Sequence, residues 1–114
     1  YGDWSSDVCS SDLHADKNVV ISALADLDPK VAKRTQANLK GSADVADRML
    51  ADDSKVYGGL DAYKAVLDSG VDMVILATPP AFRPQHMAAA VAAKKHMFVE
   101  KPVATDAPGV RSIL

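Results

Sequence analysis

Three clusters of residues able to do chemistry each follow an apolar run: Asp26 after Val19 to Leu24, Thr78-Pro79-Pro80 after VDMVILA, and Glu100-Lys101-Pro102 after HMFV. A lysine at a strand end can donate to a hydroxyl or carbonyl oxygen and stabilise a developing alkoxide, and partial desolvation lowers its pKa toward a useful range. The simpler reading of Glu100-Lys101 is an exposed pair that keeps a strand end soluble. The apolar run before the pair and the proline after it argue for the first reading. Pro79 and Pro80 remove backbone donors and fix φ, giving a rigid exit that can lie flat against a ligand. They also terminate a strand, and both roles can hold. Asp26 can accept hydrogen bonds from sugar hydroxyls or merely begin a turn, and the residues alone leave the two open.

The elements around these clusters alternate between strand and helix periods. An alanine-rich helical stretch, Met87 to Ala93, lies between VDMVILA and HMFV. Strand, helix and strand in that order force the two strands parallel, so both clusters fall at one carboxyl edge of a sheet. Upstream, Val19 to Leu24 reads as a buried strand ending at Asp26. Asp28 then caps a helix with Pro29 at its first position, carrying Val31, Ala32, Thr35 and Leu39 on one side and stopping at a left-handed Gly41. A short helix is expected within Ala43 to Leu50 and a strand over Lys55 to Tyr57. A helix opening at Leu60-Asp61 follows, with Tyr63, Val66 and Leu67 inward and Gly70 as its stop. Pro108 and Gly109 precede a last helix that runs to Leu114. The pattern predicts an α/β domain with a parallel sheet, without an internal repeat or linker.

Residues 2–13, GDWSSDVCSSDL, show neither period. From Asp3 to Leu13 they reverse-translate to a common sequencing-library adapter, and the expectation is an artefactual segment replacing whatever preceded His14. A natural Ser/Asp-rich loop is the alternative. The segment holds Asp3, Asp7 and Asp12 and no lysine or arginine, so setting it aside raises the net charge from −2 to +1. It also holds the single cysteine, Cys9, which removes any argument for a catalytic thiol or a redox compartment. The remaining charge gives no footprint for nucleic acid, and no apolar run approaches the roughly 20 residues that span a bilayer, so neither nucleic-acid nor membrane partners are expected. His86 and His96 stand at no metal-ligand spacing, and no metal is expected. At 114 residues the chain reads as one domain of a longer protein.

ALADLDPKVA at Ala23 to Ala32, ATPP, the helix, KKHMFVEKP and PVATDAPGVRSIL together resemble the N-terminal domain of the Gfo/Idh/MocA oxidoreductases, the family of glucose-fructose oxidoreductase and inositol dehydrogenase. The likeness covers roughly residues 14–114 and is silent on substrate. It implies a partial NAD(P)-binding Rossmann domain over 14–114, an incomplete doubly wound parallel sheet lacking the first βα unit. It implies NAD as cofactor, with NADP the alternative, held by Asp26, Leu27, Thr78, Pro79, Pro80, Glu100, Lys101 and Pro102. It makes Lys101 the catalytic residue, set against the nicotinamide and a sugar-like or cyclitol-like small-molecule substrate.

Of the family's parts, none of the six glycines forms the G-x-G of a phosphate-binding turn. The resemblance places the main acid/base histidine and the homo-oligomer contacts in a C-terminal domain outside this chain, so the chain alone is expected to be inactive. A cytoplasmic enzyme is implied, with periplasmic export the alternative. Phe82 is expected at the groove mouth. Arg83 stands where many members carry histidine, so no role carries over to it. Lys94 replaces a usual glycine, at about 1 kcal/mol if left-handed. A nucleotide-sensing module without turnover and a non-functional truncated translation are the competing readings.

Overall fold

Among the described residues, short apolar runs closed by glycine, proline or aspartate give four strands of three or four residues, and the helices between them make their pairings parallel. The computed structural model describes residues 16–114, so the expected artefactual segment 2–13 lies outside the described residues. The chain divides into two units between Ser69 and Gly70.

In the first unit β1 (Leu24–Asp26) pairs in parallel with β2 (Val56–Gly58), Leu24 opposite Val56 and Asp26 opposite Gly58. The strand expected over Val19 to Leu24 is displaced toward Asp26. β2 is only three residues long, so the residues before Leu24 have little ladder to join. Ile21 alone forms an isolated bridge to Met49, and Val20 stays 49% exposed.

Helix α1 (Pro29–Gly41) starts as expected, with the Asp28 carboxylate accepting from the Lys30 amide at 2.8 Å and Pro29 in the first turn. Its buried positions are Ala32, Gln36 and Leu39, whereas Val31 and Thr35 are half-buried. Gln36 is tolerated inside because its side-chain amide donates to the Ala51 carbonyl at 2.9 Å. Gly41 is the last helical residue rather than a left-handed stop. The Ser42 amide closes the helix on the Leu39 carbonyl from extended backbone, so no positive φ is needed. Leu39, Val45, Met49 and Ala51 form the core here, with Ile21 and Leu24 packed against them. The helix expected within Ala43 to Leu50 is a single 3₁₀ turn, Ala46–Arg48. Helix α2 (Ala62–Asp68) half-buries Tyr63, Val66 and Leu67 as expected, and Gly70 follows at φ +89°.

Gly58 ends β2 where α1 begins its first turn, and a Cβ at this position would lie 2.3 Å from Pro29 Cγ. Gly58→Ala is therefore expected to cost about 1–3 kcal/mol through overpacking against a ring that cannot rotate away. Urea unfolding of the full-length protein checks this, and an unchanged midpoint would show that Pro29 yields.

In the second unit β3 (Met73–Leu76) pairs in parallel with β4 (His96–Val99), Met73 opposite His96 and Leu76 opposite Val99. The strand, helix, strand order is as expected. The connecting helix α3 (Arg83–Ala92) begins a turn earlier than its alanine-rich stretch suggests, because a 3₁₀ turn, Pro80–Phe82, feeds it. Lys94 closes α3 in the left-handed region at φ 55°, with its amide on the Val91 carbonyl and that of Lys95 on the Ala90 carbonyl. The apolar runs VDMVILA and HMFV are covered on one face only. Val74 and Leu76 are buried, while Met73 is exposed and Phe98 is 46% exposed. Within this unit α3 covers a single face of the sheet, so the side chains alternate. Helix α4 (Ala107–Ile113) takes Pro108 and Gly109 inside its first turn, capped by Asp106 accepting from the Gly109 amide at 2.7 Å. No helix among the described residues is long and apolar enough to cross a membrane.

Candidate functional site

Asp26 closes β1, half-buried, and its Oδ1 accepts the Asp28 amide at 2.9 Å. The turn-forming role is thus occupied. Oδ2 accepts nothing from a described residue, which leaves it able to take a ligand hydroxyl. The Gly59 amide lies 3.1 Å from both the Asp26 and the Leu27 carbonyls, and its φ of +103° allows the chain to reach back to them. Leu27 is 52% exposed. The turn after β1 is therefore fixed while its two side chains remain accessible, one acidic and one apolar.

The second unit gathers Thr78, Glu100 and Pro102 around the buried Arg83, with Phe82 and His86 beside Thr78. Arg83 is only 5% exposed. Its Nε donates to the Thr78 carbonyl at 2.8 Å, and its Nη1 donates to the Pro102 carbonyl at 2.5 Å and to the Glu100 carbonyl. Burial pushes the Arg83 pKa down, and the charge of Glu100 opposes that shift. Three carbonyl dipoles solvate the guanidinium, which makes the burial tolerable. The turn after β3 and the turn after β4 are in this way fastened to one side chain. The resemblance carries no role over to Arg83, and the geometry gives it a structural one.

His86 makes a local hydrogen bond, its Nδ1 3.3 Å from the Thr78 hydroxyl. Its ring stacks on Phe82, centroids 6.0 Å apart and planes 13° off parallel, so half-buried Phe82 is a wall for His86. Burial lowers the His86 pKa and favours the neutral imidazole. Arg83 and His86 are both buried, three positions apart on α3. That spacing beside two proline-marked turns was the available signal for an inward polar pair. Lys101 itself is exposed, follows half-buried Glu100 and precedes a cis bond to Pro102. Among the described residues no carboxylate lies within ion-pair distance of Lys101. Pro79 is exposed beside half-buried Pro80 and Thr78.

By donor and acceptor chemistry the half-buried Asp26 carboxylate can accept from a sugar hydroxyl, and the exposed Lys101 ammonium can donate to an oxygen. None of the described glycines stands in the G-x-G turn whose amides hold a pyrophosphate. Among the described residues no three His, Cys, Asp or Glu side chains converge as metal ligands do.

A family model described as an oxidoreductase family with an NAD-binding Rossmann fold, Gfo/Idh/MocA, matches residues 6–114. The α/β architecture with parallel strands agrees with that fold. The match takes in residues 6–13, which lie outside the described residues. No curated protein and no solved structure matches the chain.

Proposed function

This chain belongs to the Gfo/Idh/MocA oxidoreductase family, and from that premise we propose that its parent enzyme moves a hydride between NAD and a sugar-like or cyclitol-like alcohol carbon, or the corresponding carbonyl. The observation that carries the reading is Lys101, exposed without a carboxylate partner while the carbonyls on either side of it are tied down. A dinucleotide, when bound, would supply hydride acceptance. Asp26 would hold its ribose hydroxyls through Oδ2, and Thr78, Pro79 and Pro80 would form a flat, donor-poor wall beside it. Lys101 would donate to the substrate oxygen and stabilise negative charge there as the carbon gives up its hydride. The hydroxyl proton would pass to a base outside this chain.

Calorimetry with NADH tests the dinucleotide reading. The 114-residue chain is expected to bind no tighter than about millimolar, because few oriented contacts remain without a phosphate-binding turn. The full-length protein carrying residues 14–114 is expected to bind in the micromolar range, as a complete amide cradle allows. Micromolar binding by the short chain would show that the turn is dispensable. Absence of binding by the full-length protein would remove the dinucleotide.

A further inference from the structure

Burying a guanidinium costs several kcal/mol unless it is well partnered, and Arg83 has no carboxylate within ion-pair distance among the described residues. Its three acceptors are main-chain carbonyls, all in the two turns at the carboxyl edge of β3 and β4. An apolar side chain could fill the same volume without the desolvation cost. What only arginine provides is a rigid fork whose Nε and Nη1 point to different acceptors. The choice of acceptors is informative. Nη1 is shared by the carbonyls of Glu100 and Pro102, the residues on either side of Lys101. Nε reaches the carbonyl of Thr78, whose hydroxyl faces His86.

We propose that Arg83 is a positioning residue: it fixes the backbone on both sides of Lys101 and ties it to the Thr78 turn, so that an exposed lysine starts from a defined Cα position. Reaction geometry is sensitive to displacements of about 1 Å, so a pinned Cα matters even where the lysine stem is free to rotate. Glu100 adds a second anchor, since its amide donates to the Leu76 carbonyl at 3.1 Å. The turn is thus held by the sheet on one side and by Arg83 on the other.

The inference rests on the reading of Lys101 as the group that touches substrate, and a double-mutant cycle in the full-length protein separates the two. Arg83→Lys keeps the charge and loses the fork. It is expected to lower kcat about tenfold or more while KM for NAD changes less than about twofold, the signature of an interaction made mainly in the transition state. In a Lys101→Ala background the same change is expected to add less than about twofold, because a residue acting through Lys101 has nothing left to position.

Hydrogen exchange supplies a readout independent of turnover. Exchange of the Glu100 amide should accelerate in Arg83→Lys while that of the Gly59 amide, in the other unit, does not. General destabilisation would accelerate both and overturn the proposal. Should Arg83→Lys fail to fold, Arg83→Gln replaces it in the same cycle. If Lys101→Ala leaves kcat unchanged, the reading of Lys101 falls and takes the inference with it. If Lys101→Ala is slow and the Arg83 variant is not, or if the two losses multiply in full, Arg83 alone is overturned.

Discussion

Lys101→Ala in the full-length enzyme is expected to lower kcat by about a hundredfold to ten-thousandfold, the usual contribution of a positioned proton donor or charge. KM for the dinucleotide should stay within about threefold, because the contact forms with the substrate oxygen and strengthens only as charge develops there. Stability is a weak confounder. The side chain is exposed and forms no ion pair among the described residues, so its truncation should cost no more than about 0.5 kcal/mol. Single-turnover kinetics beside steady-state rates would place the loss in the chemical step. An unchanged kcat would return Lys101 to a solvated strand end.

The next largest effect concerns cofactor choice. The Asp26 carboxylate would accept from free ribose hydroxyls but meet a 2′-phosphate with like charge. Two like charges at about 4 Å in a partly screened surface groove repel by roughly 1–4 kcal/mol. A preference for NAD over NADP of about tenfold to a hundredfold in kcat/KM is therefore expected. Leu27, exposed next to Asp26, offers no cation, and Lys33 and Arg34 lie well past the start of α1 at Pro29. Lys30 is closer, at the second position of α1, and exposed. Asp26→Ser is expected to bring the two cofactors toward parity, and Lys30→Ala in that background should then lower NADP use. Equal or better use of NADP by the unmodified enzyme would sink Asp26 as the selectivity residue.

Much of the second unit could be read in advance because its signals are local. Unbroken apolar runs ending in proline mark the strands, alanines mark the helix, and the end of that helix forces Lys94 to a left-handed φ of 55°. What escaped prediction depends on partners distant in sequence. β1 runs from Leu24 because β2, thirty residues on, offers so short a ladder. Gly41 proved helical because the Ser42 amide reaches the Leu39 carbonyl without it, a choice both conformations would have allowed. β4 alternates because burial of a strand depends on what covers each face, and α3 covers one. Arg83 was hardest to foresee. Its acceptors are main-chain carbonyls, which every residue carries, so no side-chain complement in the sequence announces them. The residues alone leave Asp26 between turn and ligand acceptor, and the structure shows Oδ1 in the turn.

The contact of Gly58 with Pro29 bears on how this domain can vary over time. With 2.3 Å between the proline ring and the site of any added Cβ, a larger residue at 58 becomes acceptable only after position 29 has been trimmed or the start of α1 has moved. The start of α1 cannot move freely, because Asp28 caps it and shares the turn with Asp26. Drift at the end of one strand is thereby coupled to the residues proposed to set cofactor choice at the end of its neighbour. Transplanting the Asp26 turn into a related scaffold means moving Gly58 and Pro29 with it as a single heritable block.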